Sequence, residues 1–156
     1  NMAPRQHMRK VKVGKVTFTE AYKAVHEYRQ KFPEKAVTFY AQNYPAMGWA
    51  VFMAGGSCPV IPCTDKAFLK DAAAMEVEET NTDEYKKMVK SDIGSIIYSK
   101  SGTEIPVQLS SGKYVLKYIH PASGKIETIN KSLKINGLYN LKVPDKKEGI
   151  YWFHKL

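Results

Sequence analysis

Residues 36–56 read Ala-Val-Thr-Phe-Tyr-Ala-Gln-Asn-Tyr-Pro-Ala-Met-Gly-Trp-Ala-Val-Phe-Met-Ala-Gly-Gly. Ala36–Ala41 is β-branched and aromatic, the composition of a short strand. Its near-continuous apolar character suits a strand buried on both faces, as in a parallel sheet. Gln42-Asn43-Tyr44-Pro45 is a polar and aromatic loop. Ala46–Ala54 is a compact apolar helix closed by Gly55-Gly56. Strand, polar loop and apolar helix follow in the order of a β–α unit. A helix this apolar needs partners on every side, which the reading assigns to the wall of a larger body.

Before this unit, Asn1–Gly14 is a basic arm or loop with room for a short strand at Val11–Val13. Thr17 or Thr19 can cap a helix, and Glu20 stands three residues after Thr17 as in a capping box. Ala21, Tyr22, Val25 and Tyr28 or Arg29 form its apolar stripe, and Pro33 ends it. After the unit, Ser57–Pro62 is an irregular connector, because Pro59 and Pro62 break regular structure. Thr64 or Asp65 can cap a helix over Lys66–Met75. Glu76–Asp83 reads as a solvated acidic linker and Glu84–Val89 as one more helical turn.

Beyond Ser91 the pattern changes. Ile93–Ser99, Ile105–Leu109, Tyr114–His120, Lys125–Asn130, Ser132–Ile135, Tyr139–Val143 and Ile150–His154 read as short strands separated by turn signals. Asn136-Gly137 is a type I′ hairpin signal. Strands at this spacing indicate a small antiparallel sandwich. The expected fold class is therefore α+β, with an α/β segment over residues 1–90 and a β-sandwich over residues 91–156.

The 156 residues carry 24 Lys+Arg, 15 Asp+Glu and a net charge of +9, with 44% hydrophobic residues. That composition excludes wholesale disorder, and two cysteines exclude a disulfide-dense miniprotein. The longest apolar run, near Ala50–Ala54, is far too short for a membrane span. The charge divides as +6 over residues 1–35, −2 over residues 36–90 and +5 over residues 91–156. Only Arg5, Arg9 and Arg29 are arginines, and Arg is the preferred residue for forked phosphate contacts. The charge therefore favours solubility over nucleic-acid recognition.

Catalytic patterns are sparse. His7, His26, His120 and His154 lack metal-ligand spacing, Cys58 and Cys63 have no second pair, and neither a metal nor another cofactor is indicated. The two cysteines read as buried free thiols, or as a disulfide in an exported protein. Gly56-Ser57-Cys58 does not match the nucleophile elbow, and Gly55-Gly56 lacks the remainder of a nucleotide-binding loop. No carboxylate pair suited to glycoside hydrolysis is evident. Glu20, Glu27 and Glu34 share one helical face as surface charges. The stretch that stands out holds Tyr40, Gln42, Asn43, Tyr44 and Trp49. Flat aromatic faces with amide donors and acceptors suit the apolar ring faces and hydroxyls of sugars. These five are the candidate substrate-binding residues.

The run from Phe39 to Ala50, continuing through Met53–Ser57, resembles the last barrel strand and helix of apiosidase-like glycoside hydrolases from gut Bacteroidetes. Ile96–Ser99, Gly112–Tyr114, Ile119–Gly124 and Ile150–Phe153 resemble the pattern of their small C-terminal sandwich, described as a collagen-binding domain. His120 stands where Asp is usual in the turn that precedes Gly124. The resemblance implies the C-terminal portion of a (β/α)8-barrel glycoside hydrolase, secreted or periplasmic, not catalytic alone. Its implied partners are carbohydrate and the remainder of a larger barrel chain. The alternative is a non-catalytic carbohydrate- or matrix-binding module, with Tyr98, Tyr118, Tyr139 or Tyr151 as its platform.

Overall fold

A computed structural model describes residues 16–39 and 45–156. Helix α1 (Phe18–Lys31) opens on the expected capping box: Glu20 N–H donates to Thr17 Oγ1, and Thr17 N–H donates to the Glu20 carboxylate. The Thr17 N–H and, secondarily, the Thr17 hydroxyl donate to the Glu20 carboxylate and hold it below its ordinary range. Ala21, Tyr22 and Val25 are buried, whereas Tyr28 is 59% exposed. Residues 36–39 follow without regular secondary structure. The expected strand at Ala36–Ala41 is thus absent over residues 36–39, and its last two residues lie outside the described chain.

Helix α2 (Pro45–Met53) stops in a Schellman turn. Gly56 N–H donates to Val51 C=O, Gly55 N–H donates to Phe52 C=O, and Gly55 takes the left-handed φ of 72° that this motif needs. Helix α3 (Lys66–Ala74) is capped by Asp65, whose side chain accepts from Phe68 N–H at 2.8 Å.

Eight strands follow: β1 (Glu76–Glu78), β2 (Tyr85–Lys90), β3 (Gly94–Ser99), β4 (Glu104–Gln108), β5 (Gly112–Ile119), β6 (Ile126–Ile135), β7 (Leu138–Lys142) and β8 (Gly149–Lys155). They build a six-stranded sheet in the order β1-β2-β3-β8-β5-β6 and a two-stranded sheet β4-β7, with every pairing antiparallel. The chain is α+β: helices first, then a small sandwich of antiparallel sheets.

Three readings change. Residues 76–78 and 85–90 are strands of the large sheet, not a linker and a helical turn. The two short strands expected between 125 and 135 are one ten-residue edge strand, β6, with two register shifts against β5. Asn136-Gly137 is a turn, with Gly137 at φ 91°, but it joins strands of different sheets.

Period-two alternation explains the layering. On one face of the large sheet Ile97, Tyr151, Phe153, Leu116 and Tyr118 meet Ile105, Val107 and Leu141 of the small sheet. On the other face Ile96, Tyr98, Ile150 and Trp152 meet the three helices. Strands β3 and β8 are covered on both sides. The apolar surface of α2 is covered by its own chain: Met47 and every residue from Trp49 to Ala54 are buried. The expectation that this helix needs a barrel wall is thus corrected, because α1, α3 and the sheet supply its partners.

Phe68, fully buried between α2 and β8, tests this layer. Phe68→Ala should cost about 3–5 kcal/mol, read as a lower urea midpoint at unchanged slope. Val60→Ala, at a residue 85% exposed, should stay within about 0.5 kcal/mol.

Candidate functional site

Of the five residues selected for sugar contact, Tyr40, Gln42, Asn43 and Tyr44 lie outside the described residues. Their two flanks are described, and both are held. Upstream, Val37 N–H donates to Ser57 Oγ at 3.2 Å and Val37 C=O accepts from Ser57 N–H at 2.7 Å. Downstream, Trp49 is fully buried, edge-on to Phe52 and Phe68. Its indole N–H donates to Pro121 C=O at 2.8 Å. Trp49 therefore ties α2 to the β5–β6 turn of the sandwich.

The connector after α2 completes that tie. A Cβ on Gly48 would stand 1.7 Å from Val60 O, and one on Gly124 would stand 2.5 Å from Pro62 O. Only glycine admits these backbone approaches. The connector is therefore clamped between α2 and the sandwich turn. Cys63 is buried inside the clamp and Cys58 is exposed, and both thiols are free. The reading of two buried thiols holds for Cys63 alone. Burial raises the Cys63 thiol above its ordinary pKa.

Two further groupings had no signal in the sequence. Asp71 of α3 is buried, and its Oδ2 accepts from Trp152 Nε1 at 2.9 Å and stands 2.7 Å from His154 Nδ1. The Lys117 ammonium lies 4.1 Å from the Trp152 ring centroid, a cation–π contact. These partners are separated by about eighty positions, so no local motif marks them. Their geometry satisfies a buried carboxylate at the α3–β8 seam.

The other grouping joins α1 to the loop between β1 and β2 around a cavity of about 330 Å³. Lys86 is buried there. Its ammonium meets Thr82 O at 2.6 Å, Thr80 Oγ1 at 3.3 Å and Asp83 Oδ1 at 3.5 Å, and lies over the Tyr22 ring. Burial lowers its pKa, and Asp83 opposes the shift. The acidic residues of the expected linker are exposed as read, and pair at the surface: Asp83 also reaches Lys23 at 3.6 Å, and Glu79 stands 3.7 Å from His26.

Of the four tyrosines expected as a platform, three turn inward and Tyr139 is half-buried, edge-on to Phe153 at 5.7 Å. Tyr98, Tyr118 and Tyr151 are buried in the two cores. Tyr98 stacks on Phe18 at 3.9 Å between centroids and donates its hydroxyl to Glu148. Alternation sends these rings inward, where Phe18 and the small sheet cover them. Among the described residues no three His, Cys, Asp or Glu side chains converge as metal ligands. No described helix is long and apolar enough to cross a membrane.

Residues 1–75 match a family described as "Domain of unknown function (DUF6298)". The chain is similar to a solved structure titled "Glycoside hydrolase" at 15% identity and a TM-score of 0.39. That match covers 51% of this chain and 19% of the other, so the chain aligns with about a fifth of that protein. It is also similar to a structure titled "Crystal structure of CapF with inhibitor 3-isopropenyl-tropolone", at 11% identity and a TM-score of 0.22. That match covers 89% of this chain and 43% of the other. No curated protein matches the chain.

Burial, with Glu79 in support, pushes the Tyr22 hydroxyl from 10.0 up to about 12, and burial with Tyr118 pushes Tyr151 equally to about 12. An unfolded tyrosine ionises near pH 10 while these two stay protonated. The unfolded chain then binds fewer protons, so stability is intact below pH 10 and falls as pH rises toward 12. A urea-midpoint series from pH 8 to about 12 should decline above pH 10. Tyr22→Phe should flatten the decline.

Proposed function

We propose that this chain is the C-terminal portion of a glycoside-hydrolase-related protein acting on plant or host polysaccharide. Tyr40, Gln42, Asn43 and Tyr44 face the sugar, and the sandwich serves mainly as a packing partner. The chain does not hydrolyse glycosides by itself, since the catalytic carboxylates belong to the upstream part of a barrel. On this reading residues 1–90 are the α/β segment, residues 91–156 form the accessory sandwich, and the setting is secreted or periplasmic.

The observation that supports the reading best is that the chain on either side of residues 40–44 is anchored to the rest of the fold. Ser57 holds the upstream flank through Val37, and Trp49 holds the downstream flank through Pro121. A sugar site needs aromatic faces and amides held rigidly enough to avoid an ordering cost on binding. Trp49, with its ring in the core, anchors the downstream flank and does not itself face the sugar. A non-catalytic carbohydrate- or matrix-binding module is the second reading. With Tyr98, Tyr118 and Tyr151 buried, that reading keeps only the half-buried Tyr139 of its sandwich tyrosines, alongside residues 40–44.

Affinity-gel electrophoresis against plant and host polysaccharides tests the site. Retardation is expected for the intact chain. Tyr40→Ala and Tyr44→Ala should each weaken it by about 1–3 kcal/mol, the scale of a stacked aromatic anchor. Lys146→Ala, at an exposed residue, should leave it unchanged. Retardation on no polymer, or equal retardation of all variants, would overturn the assignment. Turnover of aryl glycosides by the isolated chain would overturn its non-catalytic part.

A further inference from the structure

Strand register gathers a group of cations beside the α3–β8 seam. Directly paired residues point to the same side of a sheet, and alternate residues along a strand share that side. Lys117 pairs with Trp152 and Ile119 with Ile150, so theirs is the side that the helices cover. Lys113 and Val115 continue it along β5. His154 joins from β8 opposite Val115, and Lys134 joins from β6 opposite Lys113. Val115 is half-buried, whereas Lys113 and Lys134 are exposed. A small apolar patch is thus bordered by three ammonium groups and an imidazole.

Two features set these lysines apart. Lys23, Lys86, Lys87, Lys100 and Lys125 each reach a carboxylate within 4.0 Å. Lys113, Lys117 and Lys134 reach none among the described residues, which include every Asp and Glu of the chain. The Asp71 carboxylate at the seam is already committed to Trp152 and His154. Lys113 and Lys134 also stand directly opposite in an antiparallel pair, where like charges are destabilising. An anion lying between them relieves that repulsion. The residue types select the anion. Lysine is a point charge without the fork that matches phosphate, and the Trp152 ring is fully buried under Lys117, out of reach of a stacking base. A uronic acid carries its carboxylate directly on a ring carbon, so an anion and an apolar ring face arrive together, as the lysines and Val115 do. We propose that this face binds a carboxylate-bearing polysaccharide, with Lys113, Lys117 and Lys134 pairing its carboxylates and Val115 meeting a sugar ring.

The proposal gives the sandwich a partner of its own and does not rest on residues 40–44. Affinity-gel electrophoresis compares polygalacturonate with its fully methyl-esterified form. Polygalacturonate should retard the chain more, and the excess should shrink as salt rises. That excess is the quantity read, so a failed sugar site at residues 40–44, which would meet both polymers, leaves it intact. Lys113→Gln or Lys134→Gln should weaken the excess affinity about threefold each, and the double variant about tenfold. The Tm of the double variant should equal or exceed that of the parent, because a like-charge pair is gone. Lys31→Gln with Lys142→Gln, on α1 and the small sheet, removes the same charge from exposed positions elsewhere and should leave the excess within about twofold of the parent. Equal retardation on both polymers, equal weakening by the two double variants, or a lower Tm for Lys113→Gln/Lys134→Gln would overturn the proposal. A loss in that variant seen with dextran sulfate or duplex DNA and not with polygalacturonate would overturn it too.

Discussion

The structure depends on a run of aromatic rings crossing from the helices to the sheet. Trp49 meets Phe52 and Phe68 edge-on, Phe68 stacks on Phe52, and Phe68 meets Trp152 edge-on at 5.4 Å. These rings contribute large buried area in geometries their quadrupoles favour. Each indole also carries an N–H that must find an acceptor once it leaves water. Trp49 finds the Pro121 carbonyl and Trp152 finds the Asp71 carboxylate. The apolar contacts thus set how closely helices and sheet approach, and the two hydrogen bonds set their relative position.

What was legible in the sequence was local. The Thr17–Glu20 capping box, the Asp65 cap and the Gly55-Gly56 stop each depend on residues within one turn of chain, and each is found where the pattern placed it. Most sandwich strands were visible through alternation. Strand β2 was not, because Lys86 and Lys87 are buried in it. A buried lysine contradicts the pattern unless its oxygen partners are known, and those come from a neighbouring loop and strand. The Asn136-Gly137 turn was visible as a turn, but no residue within it encodes which sheet the next strand joins.

The candidate site divides along the same line. Its proposed chemistry, aromatic faces beside amides, rests on the residue types at 40–44 alone. The anchoring of its flanks was not legible, because Val37 reaches Ser57 across twenty positions and Trp49 reaches Pro121 across seventy-two. The same limit explains why α2 was taken for a helix in need of outside partners. Composition shows that all its faces are apolar, and only the tertiary fold shows α1, α3 and the sheet around it.

Strand β6 carries a consequence for how the molecule behaves in a crowd. It is a ten-residue sheet edge, largely exposed, with Ile129 half in solvent. A straight edge of that length would template pairing between molecules. The register shifts against β5 introduce bulges that bend β6, and Lys131 and Lys134 lie along it. Bending spoils the flat ladder a second edge would need, and cations on both edges repel as they approach. The irregularity in this strand therefore guards against aggregation and lets a long open edge persist at high concentration.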